Sequence, residues 1–251
     1  MSDTPPAPEP RDTHPARAGE VDGATEPAGA RRTYRQVRFE RDARATEILL
    51  VRHGESAVAD LAHPFALVDG RGDPELSPEG RAQAEAVCAR LARLEIAAIY
   101  VTPLRRTVET AAPLARALKI DPVVEPGLVE VHMGEWEGGL YRERIATRDP
   151  LSVRIFSEQR WDVIPGAESN ETLTARTTAA IDRIAAAHPG STVVAVSHAA
   201  AIASVLAATA ASRPFAFVSV DNASISSIVV DSDRQTLRRF NDTSHLDGQR
   251  A

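Results

Sequence analysis

The sequence lacks several features that would each define a class of protein. It has a single cysteine, Cys88, which cannot form an internal disulfide, so we expect a protein of the reducing cytoplasm. Its net charge of -6 at pH 7 argues against a dedicated nucleic-acid-binding protein. The spacing of its potential ligand residues is not typical of a metal site, and we predict neither a metal nor a cofactor. The 251 residues suffice for one large domain or two small ones.

Long apolar segments are also scarce. None precedes residue 45, which predicts the absence of a signal peptide and of an amino-terminal anchor. The stretch from Val193 to Ala211 is mostly apolar, but Ser197 and His198 interrupt it. We interpret this stretch as a buried strand followed by a helix of small residues, and we expect a soluble protein without a membrane span.

Both ends of the chain are predicted to be tails. Residues 1–45 begin with a disordered segment rich in Pro, Ala, Gly and charge, and continue with arginines at every third position from Arg32 to Arg44. This arginine-rich arm could bind an acidic partner or a membrane surface, although a solvated lead-in to the first strand is the simpler interpretation. Residues 232–251 are polar, and we expect them to form a frayed carboxyl-terminal tail.

Strands and helices alternate between the tails. Short β-branched runs predict strands, and segments with an apolar face at helical spacing predict helices after most of them. The predicted strands are 48–51, 97–101, 123–124, 192–196 and 224–230. This order predicts an α/β fold, a three-layer α/β/α sandwich with a largely parallel central sheet, in a catalytic domain spanning residues 46–231.

A stretch without a clear period interrupts this alternation at residues 139–166. It mixes five arginines with Tyr141, Phe156 and Trp161. Long irregular segments of this kind often cover a binding site. We predict a small lid insertion here.

Cationic and proton-bearing residues follow three of the predicted strands. Arg52 and His53 come after the first strand, Arg106 after the second, and His198 after the strand that ends at residue 196. Strands of one direction place their carboxyl ends at one edge of a sheet, so we expect these side chains to meet in one crevice. Two arginines and two histidines would repel one another when the crevice is empty and would bind a compact dianion such as phosphate.

The segment Leu50–Ser56, which reads LVRHGES, resembles the signature of the histidine phosphatase superfamily. That family includes cofactor-dependent phosphoglycerate mutases and many small-molecule phosphatases. Four further segments are similar to the other motifs of the family and follow in its order: 102–111, 128–138, 165–169 and 196–198. The resemblance covers residues 47 to 230 and implies a two-step phosphoryl transfer that needs no metal.

The resemblance also implies a role for each matching residue. His53 is then the nucleophile that forms a phosphohistidine, and Arg52, Arg106 and His198 hold the non-bridging phosphate oxygens. Glu130 donates a proton to the leaving oxygen and later accepts one from water. A nearby phosphate dianion would raise the pKa of Glu130 and keep it protonated near neutral pH.

Other residues near these motifs leave alternatives. Glu135 and Glu137 are candidates for the acid, and Arg105 is a candidate for the phosphate ligand, but alignment of the motifs favours Glu130 and Arg106. Further substrate contacts are predicted for Arg71, Arg142 and Ala199.

The chain departs from the family pattern at three positions. Ala59 replaces an Asn that often helps to hold phosphate, and Ala199 and Ala200 replace a common Gly-Gly pair. These changes remove no catalytic group, but they could change the affinity or the range of substrates.

We predict a phosphatase that acts on a small phosphorylated metabolite. The lid segment has no adjacent Arg-Arg pair, and residues 138–141 lack the Asn-Lys that mutases tend to have. A phosphoglycerate mutase-type phosphotransferase is the alternative, and a non-catalytic protein that binds a phosphorylated metabolite is a third. A small phosphorylated substrate is the expected partner, and a homodimer is possible.

Overall fold

The computed structural model describes residues 34–232 and 234–247. The chain divides into two units, Met1–Phe39 and Glu40–Ala251. In the first unit, residues 34–39 have no regular secondary structure and are exposed. Residues 1–33, where most of the predicted disordered tail falls, lie outside the described residues. The second unit contains all the elements given below.

The central sheet has six strands in the order β5-β4-β6-β1-β7-β8. Strands β1, β4, β5 and β6 are parallel, β7 is antiparallel to β1, and β8 is antiparallel to β7. A separate pair is formed by β2 and β3. The bounds are β1 Thr46–Arg52, β2 Leu67–Val68, β3 Arg71–Gly72, β4 Ala98–Val101, β5 Val123–Val124, β6 Thr192–Ser197, β7 Ile225–Val230 and β8 Gln235–Asp242.

Helices cover both faces of this sheet. They are α1 Pro78–Leu91, α2 Arg105–Leu118, α3 Leu140–Ala146, α4 Pro150–Glu158, α5 Asn170–Ala187 and α6 Ala199–Thr209. Alternate residues of β1 point to opposite faces. Ile48 and Leu50 pack in a core with α5 and α6, whereas Leu49 and Val51 pack in a core with α1 and α2. The prediction of an α/β/α sandwich with a largely parallel sheet is confirmed.

The first helix begins with a side-chain cap. Ser77 is the N-cap and its hydroxyl accepts a hydrogen bond from the Gly80 N–H at 3.0 Å, while Pro78 occupies the first helical turn. Gly80 has no room for a side chain, because a Cβ there would lie 1.9 Å from the Glu55 carbonyl oxygen. Helix α1 therefore packs its first turn against the loop that follows β1.

The prediction of a frayed tail at residues 232–251 is wrong over β8, and β7 is not the last strand. Strand β8 pairs with β7, and the short 3-10 helix Ser244–Leu246 that follows it buries Leu246. An edge strand buries only part of its surface, and β8 carries exposed Arg and Phe side chains in its second half. Its apolar pattern is therefore too weak to identify from the sequence.

The predicted lid, residues 139–166, contains two helices rather than an irregular loop. Helices α3 and α4 have 7 and 9 residues, and such short helices show little periodicity. Ile155 of α4 and the neighbouring Trp161 and Ile164 are buried in a third apolar cluster with Trp136. No helix within the described ranges is long and apolar enough to cross a membrane.

Candidate active site

Three adjacent strands deliver the predicted site residues to one edge of the sheet. Strand β6 lies between β4 and β1 and is parallel to both. Arg52 is paired with Ser197, and the His53 N–H donates to the Ser197 carbonyl oxygen at 2.9 Å. His53 and His198 therefore leave neighbouring strands side by side, with their ring centroids 5.1 Å apart. The predicted convergence of these strand ends is present in the structure.

His53 is buried and has one ring nitrogen fixed. Its Nδ1 lies 2.7 Å from the Gly54 carbonyl oxygen. A carbonyl oxygen can only accept, so Nδ1 carries the proton and Nε2 has a lone pair. Burial, followed by the charges of Arg106 and Arg52, holds the pKa of His53 well below its ordinary value. The ring is therefore neutral at neutral pH, as a nucleophile requires.

His198 lies behind His53 and does not reach the cavity wall. Its ring is fully buried, and its Nε2 lies 2.9 Å from the Thr102 hydroxyl oxygen. Its Nδ1 is buried and has no hydrogen-bond partner among the described residues. Burial and the neighbouring Arg106 hold its pKa well below the ordinary value. The contact between His198 and phosphate oxygens that the motif resemblance implies therefore stays a prediction.

Arg106, and not Arg105, lies in the site. Arg106 is buried and donates to the Gly72 carbonyl oxygen at 2.9 Å, and burial lowers its pKa to about 10. Arg105 is exposed, and its guanidinium pairs with Glu75 and Glu109, each at 3.2 Å. The geometry agrees with the choice made from the motif.

Two further arginines add positive charge beside His53. Arg52 donates to the Val220 carbonyl oxygen, and its buried Nε has no partner in the described part of the chain. Arg142, from α3, donates to the Ser56 hydroxyl and to the Ala57 carbonyl oxygen, both at 2.7 Å. The charge of Arg142 is one of the influences that lower the pKa of His53. The lid helix α3 thus contributes a cation to the site.

Glu130 faces the same cavity at the amino terminus of α6. Its carboxylate accepts hydrogen bonds from the N–H groups of Val131 at 2.9 Å, Ala200 at 3.2 Å and Ala201 at 3.3 Å. Burial raises the pKa of Glu130, and the Val131 N–H and the nearby Arg106 oppose this effect without cancelling it. A carboxyl with a raised pKa is suited to donate a proton.

The other two candidate acids are less well placed. Glu135 is exposed and is not part of the cavity wall. Glu137 lines the cavity, but its two oxygens accept from the N–H groups of Gly72 and Met133, both at 2.8 Å. Glu137 therefore connects two loops, and the geometry favours Glu130.

An arginine that the sequence analysis did not identify holds the backbone of Glu130. Arg176, from α5, donates to the carbonyl oxygens of Val129 at 2.7 Å and Glu130 at 3.1 Å. Its guanidinium also forms a two-point ion pair with Glu168, with bonds of 2.7 and 2.8 Å. Arg71 lines the cavity, but its Nε donates to the Glu130 carbonyl oxygen at 2.7 Å. In this structure Arg71 thus positions Glu130.

The site opens into a cavity of about 560 Å³, a size typical of small-molecule sites. One part of its wall is polar, and another is formed by aromatic and aliphatic side chains. The polar part includes Arg52, His53, Ser56, Arg106, Glu130 and Arg142, and the apolar part includes Trp136, Tyr141, Phe156, Trp161 and Val218. Ala199, the first residue of α6, also lines this wall. Within residues 34–232 and 234–247, no three His, Cys, Asp or Glu side chains could together hold a metal ion.

Comparison with known proteins gives a consistent result. The model of the histidine phosphatase superfamily (branch 1) matches residues 48–243, and so includes β8. Phosphoserine phosphatase 1 of Hydrogenobacter thermophilus is 31% identical over 203 residues, which cover 80% of this chain and 94% of that protein. The bifunctional protein Rv2228c of Mycobacterium tuberculosis is 36% identical over 190 residues, or 74% of this chain, but the chain spans only 48% of its length.

A solved structure has the same fold. The mycobacterial glucosyl-3-phosphoglycerate phosphatase Rv2419c superposes with a TM-score of 0.66 at 25% identity. The superposition covers 80% of this chain and all of that one.

Proposed function

Because this chain belongs to the histidine phosphatase superfamily, we propose that it hydrolyses a small phosphorylated metabolite through a phosphohistidine on His53. One observation carries the proposal. A neutral histidine, fixed through Nδ1, shares a cavity with buried arginines and with a carboxyl of raised pKa. These are the nucleophile, the anion-binding groups and the acid that phosphoryl transfer requires.

Positive charge binds and activates the phosphate. The guanidinium groups of Arg52, Arg106 and Arg142 face the three non-bridging oxygens, where charge accumulates in the transition state. The Nε of Arg52, whose side chain lines the cavity, is a further group that a phosphate oxygen could satisfy. With this much fixed charge the reaction needs no metal ion to stabilise the transferring group.

In the first step, Nε2 of His53 attacks phosphorus on the side opposite the leaving oxygen. A P–N bond forms as the P–O bond breaks, and Glu130 gives its proton to the leaving oxygen. The departing product is then a neutral alcohol. The Gly54 carbonyl oxygen accepts a hydrogen bond from Nδ1–H and so stabilises the positive charge that develops on the ring.

In the second step, water attacks the phosphohistidine. Glu130 is now a carboxylate and accepts a proton from this water. The P–N bond breaks, inorganic phosphate forms, and His53 returns to its neutral state. The same carboxyl therefore acts first as an acid and then as a base.

Hydrolysis is favoured over a mutase reaction by the arginines of the lid. A mutase needs extra cations for a substrate carboxylate and must exclude water from its phosphohistidine. Three of the lid arginines are instead paired with acids of the lid itself, namely Arg144 with Asp149, Arg154 with Glu158 and Arg160 with Asp162. None of these three arginines lines the cavity.

The test is product analysis with a panel of phosphorylated sugars, glycerates, amino acids, nucleotides, and aryl and alkyl alcohols. We expect free phosphate from the wild-type protein and none from His53→Ala. His63→Ala is the matched control, because that histidine is exposed and pairs only with Asp60 in the described structure. Positional isomers without free phosphate would instead establish a mutase. Binding without either product would establish a non-catalytic protein.

A further inference from the structure

We propose that the leaving group of the substrate is apolar, that it packs against Trp136, Tyr141 and Trp161, and that Trp161 limits its length. This inference rests on the proposed phosphatase function and extends it to a substrate class. The three side chains are called the aromatic wall below. The class is a phosphomonoester whose alcohol part is an uncharged aromatic or extended aliphatic group.

The aromatic wall is a continuous and rigid surface. The ring centroids of Trp136 and Tyr141 are 6.4 Å apart, and those of Tyr141 and Trp161 are 6.3 Å apart. Trp161 continues into Phe215, whose centroid is 4.7 Å away. Trp136 and Trp161 are only 5% and 4% exposed, because the apolar cluster around Ile164 holds them in place. A preformed apolar surface of this kind binds an apolar group without first having to become ordered.

The aromatic wall begins beside the acid that protonates the leaving oxygen. Glu130 and Tyr141 line the same cavity. Val131, the residue after Glu130, packs in the same apolar cluster as Trp136 and Trp161, with Tyr141 packed against that cluster. In this proposal the atoms bonded to the leaving oxygen contact Tyr141, and a longer group continues to Trp161, whose ring centroid is 6.3 Å from that of Tyr141.

Charged groups on this side of the cavity are already bonded to protein atoms. Both oxygens of Glu137 accept backbone N–H groups, and Arg71 donates to the Glu130 carbonyl oxygen and lies 3.8 Å from Glu168. The ammonium and carboxylate of a substrate such as phosphoserine would have to share Glu137 and Arg71 with these existing partners to find a counter-charge. Burying a charge without a partner is costly, so an uncharged leaving group is favoured.

A second cavity of about 180 Å³ adjoins the first behind Trp161. Trp161, Ala200 and Val218 line both cavities. The rest of the second wall has seven apolar residues, among them four alanines, and four polar residues, namely Asn170, Thr174, Ser204 and Ser212. Trp161 is by far the largest of the three shared side chains. Its indole therefore separates the two spaces and sets how far a leaving group can extend.

The first experiment compares kcat/KM of the wild-type protein for benzyl phosphate, O-phosphoserine and 3-phosphoglycerate, all three of which release a primary alcohol. We expect benzyl phosphate to be preferred by at least about tenfold, because its ring removes apolar surface from water at the aromatic wall. Equal or higher kcat/KM for either charged substrate would overturn the inference while leaving the phosphatase function intact.

The second experiment uses a series of linear alkyl phosphates with Trp161→Ala, Trp161→Phe and the wild-type protein. We expect the preferred chain length to increase in Trp161→Ala and to change little in Trp161→Phe, which keeps an aromatic ring in place. Phe240→Ala is the matched control, since it removes an aromatic side chain of β8 that lines neither cavity. An unchanged length preference in a folded Trp161→Ala protein would exclude Trp161 as the limit.

Binding measurements separate the inference from the proposed function. Calorimetry with phenylphosphonate and methylphosphonate requires neither turnover nor a variant protein. Tighter binding of phenylphosphonate, again by about tenfold, would support the apolar subsite even if no substrate were hydrolysed. Equal binding of the two phosphonates would overturn it.

Discussion

At the scale of single residues, Glu130 is required for both steps of the proposed reaction. Glu130→Gln keeps the shape of the side chain but removes its proton. We expect kcat for an alkyl phosphate to fall by about 10²- to 10⁴-fold. With 4-nitrophenyl phosphate the first turnover should be nearly unaffected, because nitrophenolate leaves without a proton, and only later turnovers should be slow. Stopped-flow measurement of the nitrophenolate burst tests this.

The control for Glu130→Gln is Glu135→Gln, which neutralises an exposed carboxylate of the same segment. It should keep wild-type rates with both substrates. If Glu130→Gln slowed the first turnover of alkyl and nitrophenyl phosphates equally, Glu130 would not be the group that protonates the leaving oxygen.

The pKa shifts of His53 and Glu130 predict the pH profile. His53 must be neutral to attack, and burial with the neighbouring arginines lowers its pKa from 6.5. The pH at which kcat/KM falls on the acidic side should therefore lie below 6.5. The second ionisation of the substrate phosphate, with a pKa of about 6, also lowers kcat/KM in this range, and the profile has to be corrected for it. Glu130 must be protonated to donate to the leaving oxygen, so kcat/KM falls on the basic side when Glu130 loses its proton. Burial raises the pKa of Glu130 from 4.5, so this basic limb lies above pH 4.5. The basic limb should disappear in Glu130→Gln, and its persistence there would contradict the assignment.

The neighbouring Arg105 and Arg106 provide a matched test of anion binding. A ligand present at about 100 times its Kd stabilises the folded state by about 2.7 kcal/mol. Inorganic phosphate or vanadate should therefore raise the Tm of the wild-type protein and of Arg105→Ala, but not of Arg106→Ala. Thermal denaturation with and without the anion measures this. If Arg105→Ala alone lost the increase in Tm, Arg105 and not Arg106 would be the phosphate ligand.

At the scale of elements, helix α5 positions the loop that carries Glu130. Arg176 of α5 binds Glu168 and the carbonyl oxygens of Val129 and Glu130. A lysine at this position would keep the positive charge but could not form the two-point ion pair with Glu168. We expect Arg176→Lys to lower kcat by about tenfold or more with little change in KM, since a displacement of about 1 Å at a reacting group can cost 10²-fold. Steady-state kinetics and the basic limb of the pH profile are the measurements. Unchanged values of both would show that α5 does not position Glu130.

The elements also show how far the sequence could predict this site. Strands β1 and β6 are buried on both faces, so the sequence shows them as apolar runs. The site residues could then be predicted, because they come directly at the end of each run. Arg176 could not be predicted, because a single arginine in an amphipathic helix has the pattern of an exposed residue. Nor could the short helices α3 and α4, since each has too few turns to show a period. Contacts between distant segments, such as that of Arg142 with Ser56, depend on the folded structure alone.

At the scale of the whole molecule, the sheet and the lid contribute different groups to one cavity. The carboxyl edge of the sheet supplies Arg52, His53 and Arg106, whereas the lid and the segments beside it supply the aromatic wall together with Arg142. The sheet holds groups that must stay within fractions of an ångström, and most of the lid can vary without disturbing them. This arrangement explains why motif resemblance could predict the type of chemistry but not the substrate.

Strand β8 completes the sheet, and its removal tests whether residues 235–242 belong to the folded domain. Its loss would expose the edge of β7 and the side of the core that contains Ile228 and Leu237. We expect a chain ending at residue 232 to unfold at clearly lower urea concentration than the full chain, or to aggregate through the open edge. A chain ending at residue 247 is the control and should match the full chain. Equal urea midpoints for the chains ending at residues 232 and 247 would mean that β8 contributes no stability. The catalytic domain would then end near residue 231, as the sequence predicts.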